Sequence, residues 1–392
     1  MIPGVGTTRI LVVGAGVGGI SVARGLLRDG HEVTVFEQGP DVRAAGGAVT
    51  IWPNGATVLR QLGVAMDGAG QRLSTVRIMT SAGRPLATLD LTTMADRLGA
   101  PVRMVPRRVL LERLLDGFPR DRIRCGARLV LVHSNHQSVR VGFDDGSCAD
   151  GDVLIGADGL HSRVRDVVGA RHANPTGWCS WQGLVTLPDV ADTDVALIAI
   201  GEHGNLGLWP AGGGEVQWWF DLPWSFGFSR PQHPIEVIRS AFTGWSDSAD
   251  RVLAALTEDD LASSPYPHFR HPIPPPGHGV LTLLGDAAHT MPPTLAQGTN
   301  QALLDTMVLR QALSNVGRAA LPGALRAYER SRRHRVATVS RVASLPVSHG
   351  EAVLRPAALI PDRFHTWALT TFLRWSSHRR MATAISQAIS RR

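Results

Sequence analysis

The chain has 392 residues, 44% hydrophobic and 19% charged, with a formal net charge of +7; that length accommodates two domains and a sizeable core, and no uncharged apolar run reaches the roughly 18 residues of a membrane span. All 40 basic residues are arginine, dispersed among acids apart from the cluster RSRRHR at 330 to 335 and the terminal Arg391 and Arg392, so no basic stripe with interleaved aromatics points to nucleic acid. Cys125, Cys148 and Cys179 form no CxxC pair, so neither a disulfide framework nor a metal site is expected, and without a signal-peptide pattern at the N-terminus the expected location is cytoplasmic.

Residues 9 to 37, RILVVGAGVGGISVARGLLRDGHEVTVFE, read as strand, tight turn, helix and second strand. The helix keeps Ile20, Ala23, Leu26 and Leu27 on one face before Gly30 ends it. In the turn, Gly14 permits the bend, Gly16 lets the backbone approach a pyrophosphate, and Gly19 lets helix and strand pack closely, with Gly18 in the same stretch. The helix N-terminus then carries the anion. Glu37 lies 23 residues after Gly14, placed to bind a ribose diol without a 2′-phosphate. This spacing serves NAD and FAD equally.

Further along, residues 42 to 64 contain a Gly-Gly pair, a short extended segment and a helix carrying Val58, Leu59 and Leu62. VPRRVLLERLL, at 105 to 115, starts a helix with Arg107 or Arg108 positioned to meet an anion. In VLIGADGLHSRVR, at 153 to 165, the Asp158-Gly159 turn puts a carboxylate and free N–H groups at a strand end, where cofactors bind in open α/β folds. From 173 to 271 short alternating runs broken by Pro, Gly and Asp predict antiparallel sheet. A second Gly-Asp motif follows in LLGDAAHTMPPTLAQGTN, at 283 to 300, and a helix begins near Gly298. Helices continue through 324 to 345, and 364 to 378 places Phe364, Trp367, Ala368, Thr371, Phe372 and Trp375 at helical spacing. That last helix is expected to pack across the protein's own two domains, in preference to a membrane surface or a partner helix.

These motifs, in this order, resemble the FAD-dependent group A flavoprotein monooxygenases, the family of para-hydroxybenzoate and salicylate hydroxylases. The resemblance covers residues 9 to 64, 104 to 171 and 280 to 340. It implies an α/β fold: a glutathione-reductase-like Rossmann FAD-binding domain (1–75, 104–172 and 273–342) interrupted by an α+β substrate domain with a mainly antiparallel sheet (76–103 and 173–272). C-terminal helices (343–392) complete the chain. The implied FAD contacts are Gly14, Gly16, Gly18, Gly19, Glu37, Gln38, Arg43, Gly47, Ala48 and Arg107, with Asp158 and Arg165 serving both FAD and the passing NADPH or NADH. Gly285 and Asp286 would meet the ribityl chain, backbone N–H groups around Gly298, Thr299 and Asn300 the flavin's pyrimidine edge, and Pro292 and Pro293 would lie beside the ring. The implied reaction is reduction of FAD by NAD(P)H and delivery of one oxygen atom from O2, activated at flavin C4a, to an electron-rich carbon. Two positions depart from the family pattern: Ala296 stands where glycine is usual, and Gln182 replaces the arginine of the W-R-G element.

Seven of the ten tryptophans fall between 173 and 271. Most are expected in the core, but Trp181, Trp209, Trp218 and Trp219, with Pro292, are candidates for a broad flat substrate pocket. Trp218 and Trp219 face opposite sides of a strand, so at most one of them faces the flavin. Residues 172 to 229 contain no arginine, whereas a simple benzoate would want a guanidinium fork. The expected substrate is therefore a neutral aromatic or polycyclic molecule, as in natural-product tailoring, bound by a monomer or homodimer. No catalytic base is assigned among His203, His233, His268, His271 and His278. An oxygen-independent flavin oxidoreductase is the main rival; a flavin halogenase fits poorly, because lysine is absent and Trp178 and Trp181 lack the W-x-W spacing.

Overall fold

Apolar β-branched runs and amphipathic helices alternate through the first part of the chain, and this pattern is met by a parallel sheet with helices against it. A computed structural model describes residues 7–43, 46–225, 227–273, 276–345 and 355–377. Its five-stranded parallel sheet has the order Leu281–Leu283, Val153–Gly156, Arg9–Val13, Glu32–Phe36, Ile123–Arg124. The helix Val17–Arg28 buries Ile20, Val22, Ala23 and Leu26 against this sheet, each large aliphatic side chain contributing about 1.5–3 kcal/mol. It also packs on the helix Gly298–Leu313, which carries Leu303 and Leu309 into the same core.

A second sheet of seven strands runs Tyr266–Arg270, Asn174–Thr186, Glu215–Pro223, Asn205–Gly212, Val195–Ile200, Thr75–Thr80, Pro85–Asp90. Every pairing is antiparallel except that of Val195–Ile200 with Thr75–Thr80. Strand alternation gives this sheet two different faces. One buries Trp181, Trp218 and Phe220 with Phe242 and Val252 of the helices Pro234–Phe242 and Asp247–Ala255. The other carries Val76, Ala196, Trp209 and Trp219 and packs with Trp52, Met104 and Leu373. That second face closes on a three-stranded sheet of Ala48–Ile51, Val102–Pro106 and Gln71–Leu73, which brings the two sheet systems together.

The helix Asp362–Trp375 seals this junction. Thr88 N donates to Asp362 Oδ1 (2.8 Å), Asp90 N to Thr366 Oγ1 (3.0 Å), and Asn54 Nδ2 to Ser376 Oγ (3.4 Å). The buried side of this helix differs from the expected one: Thr366, Thr370 and Leu373 are buried, while Phe364, Trp367, Ala368 and Thr371 are exposed. The reason is anchoring, since Asp362 and Thr366 cap the edge strand Pro85–Asp90 and so set the rotation of the helix. His378, the last residue of the segment read from sequence, lies outside the described residues. Among the described residues no helix is long and apolar enough to cross a membrane.

Candidate active site

The glycine-rich turn after Arg9–Val13 has the shape its sequence requires. Gly14 sits at φ +100°, and a Cβ there would lie 2.4 Å from the Ala157 carbonyl oxygen; one at Gly19 would lie 1.9 Å from that of Gly14. Gly16 has no heavy atom within 4 Å of its Cβ position, which leaves the helix N-terminus open to an anion. Gly18 packs against Leu284, joining this turn to the second Gly-Asp motif. Glu37, at the end of the neighbouring strand, accepts from Ala15 N (2.9 Å) and Gly39 N (2.8 Å). Gln38 is exposed, and Arg43 is exposed and paired with Asp41.

The Gly285-Asp286 turn, about 270 residues later in the chain, is held from behind by a buried charge network. Gly285, at φ +59°, donates its N–H to Asp305 Oδ2 (2.9 Å), which also meets His289 Nε2 (2.6 Å), while Asp305 Oδ1 accepts from Arg332 Nε. Burial alone would raise the Asp305 carboxyl, but Arg332 and then His289 outweigh it and hold it at about 2. The turn therefore leaves Asp286 exposed, beside the start of the helix Gly298–Leu313; a Cβ on Gly298 would lie 3.9 Å from Asp286 Oδ1. The first N–H groups of that helix have no carbonyl within it to bond, and its positive end faces this space. Arg107 comes in from the end of Val102–Pro106, where burial lowers its guanidinium and the nearby Asp286 and Tyr266 oppose that shift.

Glycines that leave room for a pyrophosphate, an acid held at the ribose position, and an arginine and an aspartate beside a second helix N-terminus together fit the two ends of FAD. A model of the FAD binding domain family matches residues 7–343. The chain belongs to this family, and it is an FAD-dependent monooxygenase. It is 32% identical over 338 residues to an FAD-dependent urate hydroxylase of Klebsiella oxytoca, covering 84% of this chain and 86% of the relative. It is 34% identical over 354 residues to the 3-amino-4-hydroxybenzoate 2-monooxygenase PtnB3 of Streptomyces platensis, covering 85% and 86%. Klebsiella pneumoniae HpxO, solved with FAD and uric acid, superposes with a TM-score of 0.79 at 27% identity, over 98% of this chain and 97% of that one.

In this monooxygenase the remaining candidates divide into those at the cleft and those behind it. Arg165 is placed behind: it is 1% exposed, and its guanidinium donates to the carbonyls of Arg171, Ala287, Ala288 and Pro272 at 2.8 to 3.0 Å. It therefore ties down the Asp286 turn, and the direct cofactor contact expected of it does not fit a buried, fully engaged guanidinium. Asp158 accepts from Ser162 Oγ (2.5 Å) and Arg163 N (2.7 Å), and burial raises its carboxyl despite those bonds. Asn300 bonds through its side chain to Thr50 O, Ala296 O and Trp52 N at 2.9 to 3.0 Å, so its amide is engaged within the protein and the helix start has only backbone N–H groups to offer a ligand. Thr299 is half-buried there, Pro292 is buried and Pro293 is exposed. Ala296 adopts φ +49°, the left-handed conformation that glycine accepts most easily.

Of the four pocket tryptophans, Trp181 and Trp218 belong to the opposite face of the sheet, 1% and 0% exposed under the helices. The pocket expected of them is corrected by strand parity: Trp181 stands opposite Phe220, and Trp218 is two residues from it. Trp209 and Trp219 share the other face, with ring centroids 5.8 Å apart, and Trp219 lies over Gly207, where a Cβ would come within 1.9 Å of the indole. Gln182, half-buried, stands opposite Trp219. Sequence reasoning missed Gln217, which accepts from Ala48 N through Oε1 and occupies the space a Gly47 side chain would need. It also missed Asp305, although an acid inside the apolar run ALLDTMVL was a signal available to it. A buried cluster of Ser180, Asp221 and His268 lies on the same sheet: Ser180 Oγ is bonded to Asp221 and stands 2.6 Å from His268 Nε2.

Proposed function

We propose that this monooxygenase uses NADH or NADPH to place one oxygen atom from O2 on a bulky, uncharged aromatic or polycyclic substrate, as a tailoring step in natural-product chemistry. The observation that carries the reading is the half-buried Trp219, backed by the buried Trp209 on a sheet face whose acids Glu215 and Asp221 are engaged by Arg108 and Ser180 and which reaches the Gly47–Ala48 backbone through Gln217. An indole surface of this kind binds planar rings by stacking and area burial, and the half-buried amide of Gln182 opposite Trp219 offers a neutral hydrogen-bonding group. The strands of this face between residues 172 and 229 contribute no guanidinium. Urate and an aminohydroxybenzoate, named for the two relatives, are themselves planar rings.

The Gly14–Gly19 turn and Glu37 would hold the adenosine end of FAD; Arg107, Asp286 and the backbone at Gly298 would hold the flavin end. When bound, FAD supplies the electron transfer and the activation of O2. The protein's part is to orient and exclude water. Pro292 and the tryptophan pair would confine the substrate ring, and the helix N-terminus at Gly298 would favour negative charge at the position it faces.

The test is an assay in isotope-labelled O2 on a panel of polycyclic phenols and quinones beside small carboxylated benzoates, read by product mass. Label in a polycyclic product, with weak binding of the benzoates, is the expected result. Tighter binding of the benzoates would overturn the neutral-substrate reading, and substrate-stimulated NAD(P)H oxidation without label incorporation would favour oxygen-independent redox chemistry.

A further inference from the structure

A cavity of about 460 Å³ lies between the helix Leu321–Ala343 and the segment carrying Arg270, His271 and Ile273. No residue of the glycine-rich turn or of the tryptophan face lines it. Its body is apolar, formed by Val168, Leu283, Ala288, Val336 and Ala337. Arg270, Arg330 and Arg333 also line it, and among the described residues none of the three pairs with a carboxylate. Beside the paired Arg326–Glu329 and Arg332–Asp305 in the same lining, these three guanidinium groups, two of them exposed, leave the space with a surplus of positive charge.

The walls hold a second sign of a missing occupant. His271, 4% exposed, receives a hydrogen bond from Thr290 N at its Nδ1 (3.3 Å), and burial followed by the Arg165 charge lowers its pKa to about 3. The ring is therefore neutral with its proton on Nε2, and that buried donor has no acceptor. His289 Nδ1 and Ser340 Oγ, set in the same walls, are likewise buried without a partner. Buried polar groups are ordinarily paired, so unpaired ones set in the walls of a single cavity mark a place where a polar partner belongs.

We propose that this cavity binds an amphipathic organic anion, a carboxylate or sulfonate on a hydrocarbon or aryl body. The acid group sits among Arg270, Arg330 and Arg333, and the body lies against Val336 and Ala337. A dinucleotide is the poorer occupant, because its ribose hydroxyls would be buried against Val168, Leu283 and Val336 with nothing to bond. The site also has a connection to the cofactor cleft: His289, Asp305 and Arg332 form part of its wall and are the same residues that hold the Gly285-Asp286 turn.

The test uses the FAD-loaded protein and the fluorescent probe 8-anilinonaphthalene-1-sulfonate, with decanoate as competitor. Saturable binding at one site per chain, displaced by decanoate, is expected. The double variant Arg330→Glu/Arg333→Glu, altered only at exposed positions, should weaken the probe at least tenfold while keeping its flavin absorbance. Ala337→Trp, which fills the cavity, should abolish binding. Absence of saturable binding, or equal binding in the double variant, would overturn the proposal. So would competitive displacement of the probe by NADH or NADPH, which would assign the cavity to the nucleotide.

Discussion

Asp305 shows how a single buried residue governs the site without touching it. Its carboxylate takes bonds from Gly285 N, His289 and Arg332, and removing the arginine would leave a buried charge uncompensated. Arg332→Met is expected to cost about 3–5 kcal/mol in urea unfolding of the FAD-loaded protein; a change below 1 kcal/mol would mean the pair is solvated. In the proposed reading Glu37 acts directly on bound FAD. Glu37→Ala is expected to weaken FAD retention by about 1.5–3 kcal/mol, the range for hydrogen bonds to a charged group, measured by flavin fluorescence on dilution. Asp221 gives a pH signature. Burial raises its carboxyl to about 7 against the Ser180 bond, so between the ordinary carboxylate range and pH 7 the folded state holds a proton that the unfolded state has lost. Stability should then be full below pH 4 and fall as pH rises toward 7. Asp221→Asn should flatten that slope in thermal melts, and an unchanged slope would show that the charge is accommodated.

At the scale of elements, the turn before the helix Gly298–Leu313 carries a local conflict. Ala296 is held at φ +49°, where an L side chain costs roughly 1–2 kcal/mol. Ala296→Gly is therefore expected to raise the melting temperature or leave it unchanged, against the loss of about 0.5–1 kcal/mol that an ordinary helical Ala→Gly brings; a clear drop would mean the methyl packs productively. The glycine roles at Gly14, Gly16 and Gly19 were legible in sequence because each depends on the backbone within a few residues. The tryptophans were only half legible. Alternation predicted that Trp218 and Trp219 part company, but which face meets the cleft depends on what covers the other one. The helices Pro234–Phe242 and Asp247–Ala255 take the Trp218 side, and Trp219 is left on the face that packs with Trp52 and Met104.

For the whole molecule, the helix Asp362–Trp375 is where the two sheet systems are locked. Leu373 is 1% exposed in the cluster that also holds Trp52, Val76 and Trp209. Leu373→Ala is expected to destabilise the protein by about 2–5 kcal/mol and to loosen the Trp209–Trp219 face, read as increased tryptophan quenching; unaltered stability would assign the helix a peripheral place. What the sequence by itself determined was the order of the glycine-bearing turns, the alternation of the antiparallel sheet and the identity of the family, because glycine geometry, strand period and helix N-termini are properties of short segments. Only the tertiary structure decided that Gln217 meets Ala48, that Asp305 holds Gly285, that Asn300 bonds to Thr50 and that Arg165 stands behind the site. Those contacts join residues that the chain keeps apart, and their partners are chosen by how helices and sheets close on one another.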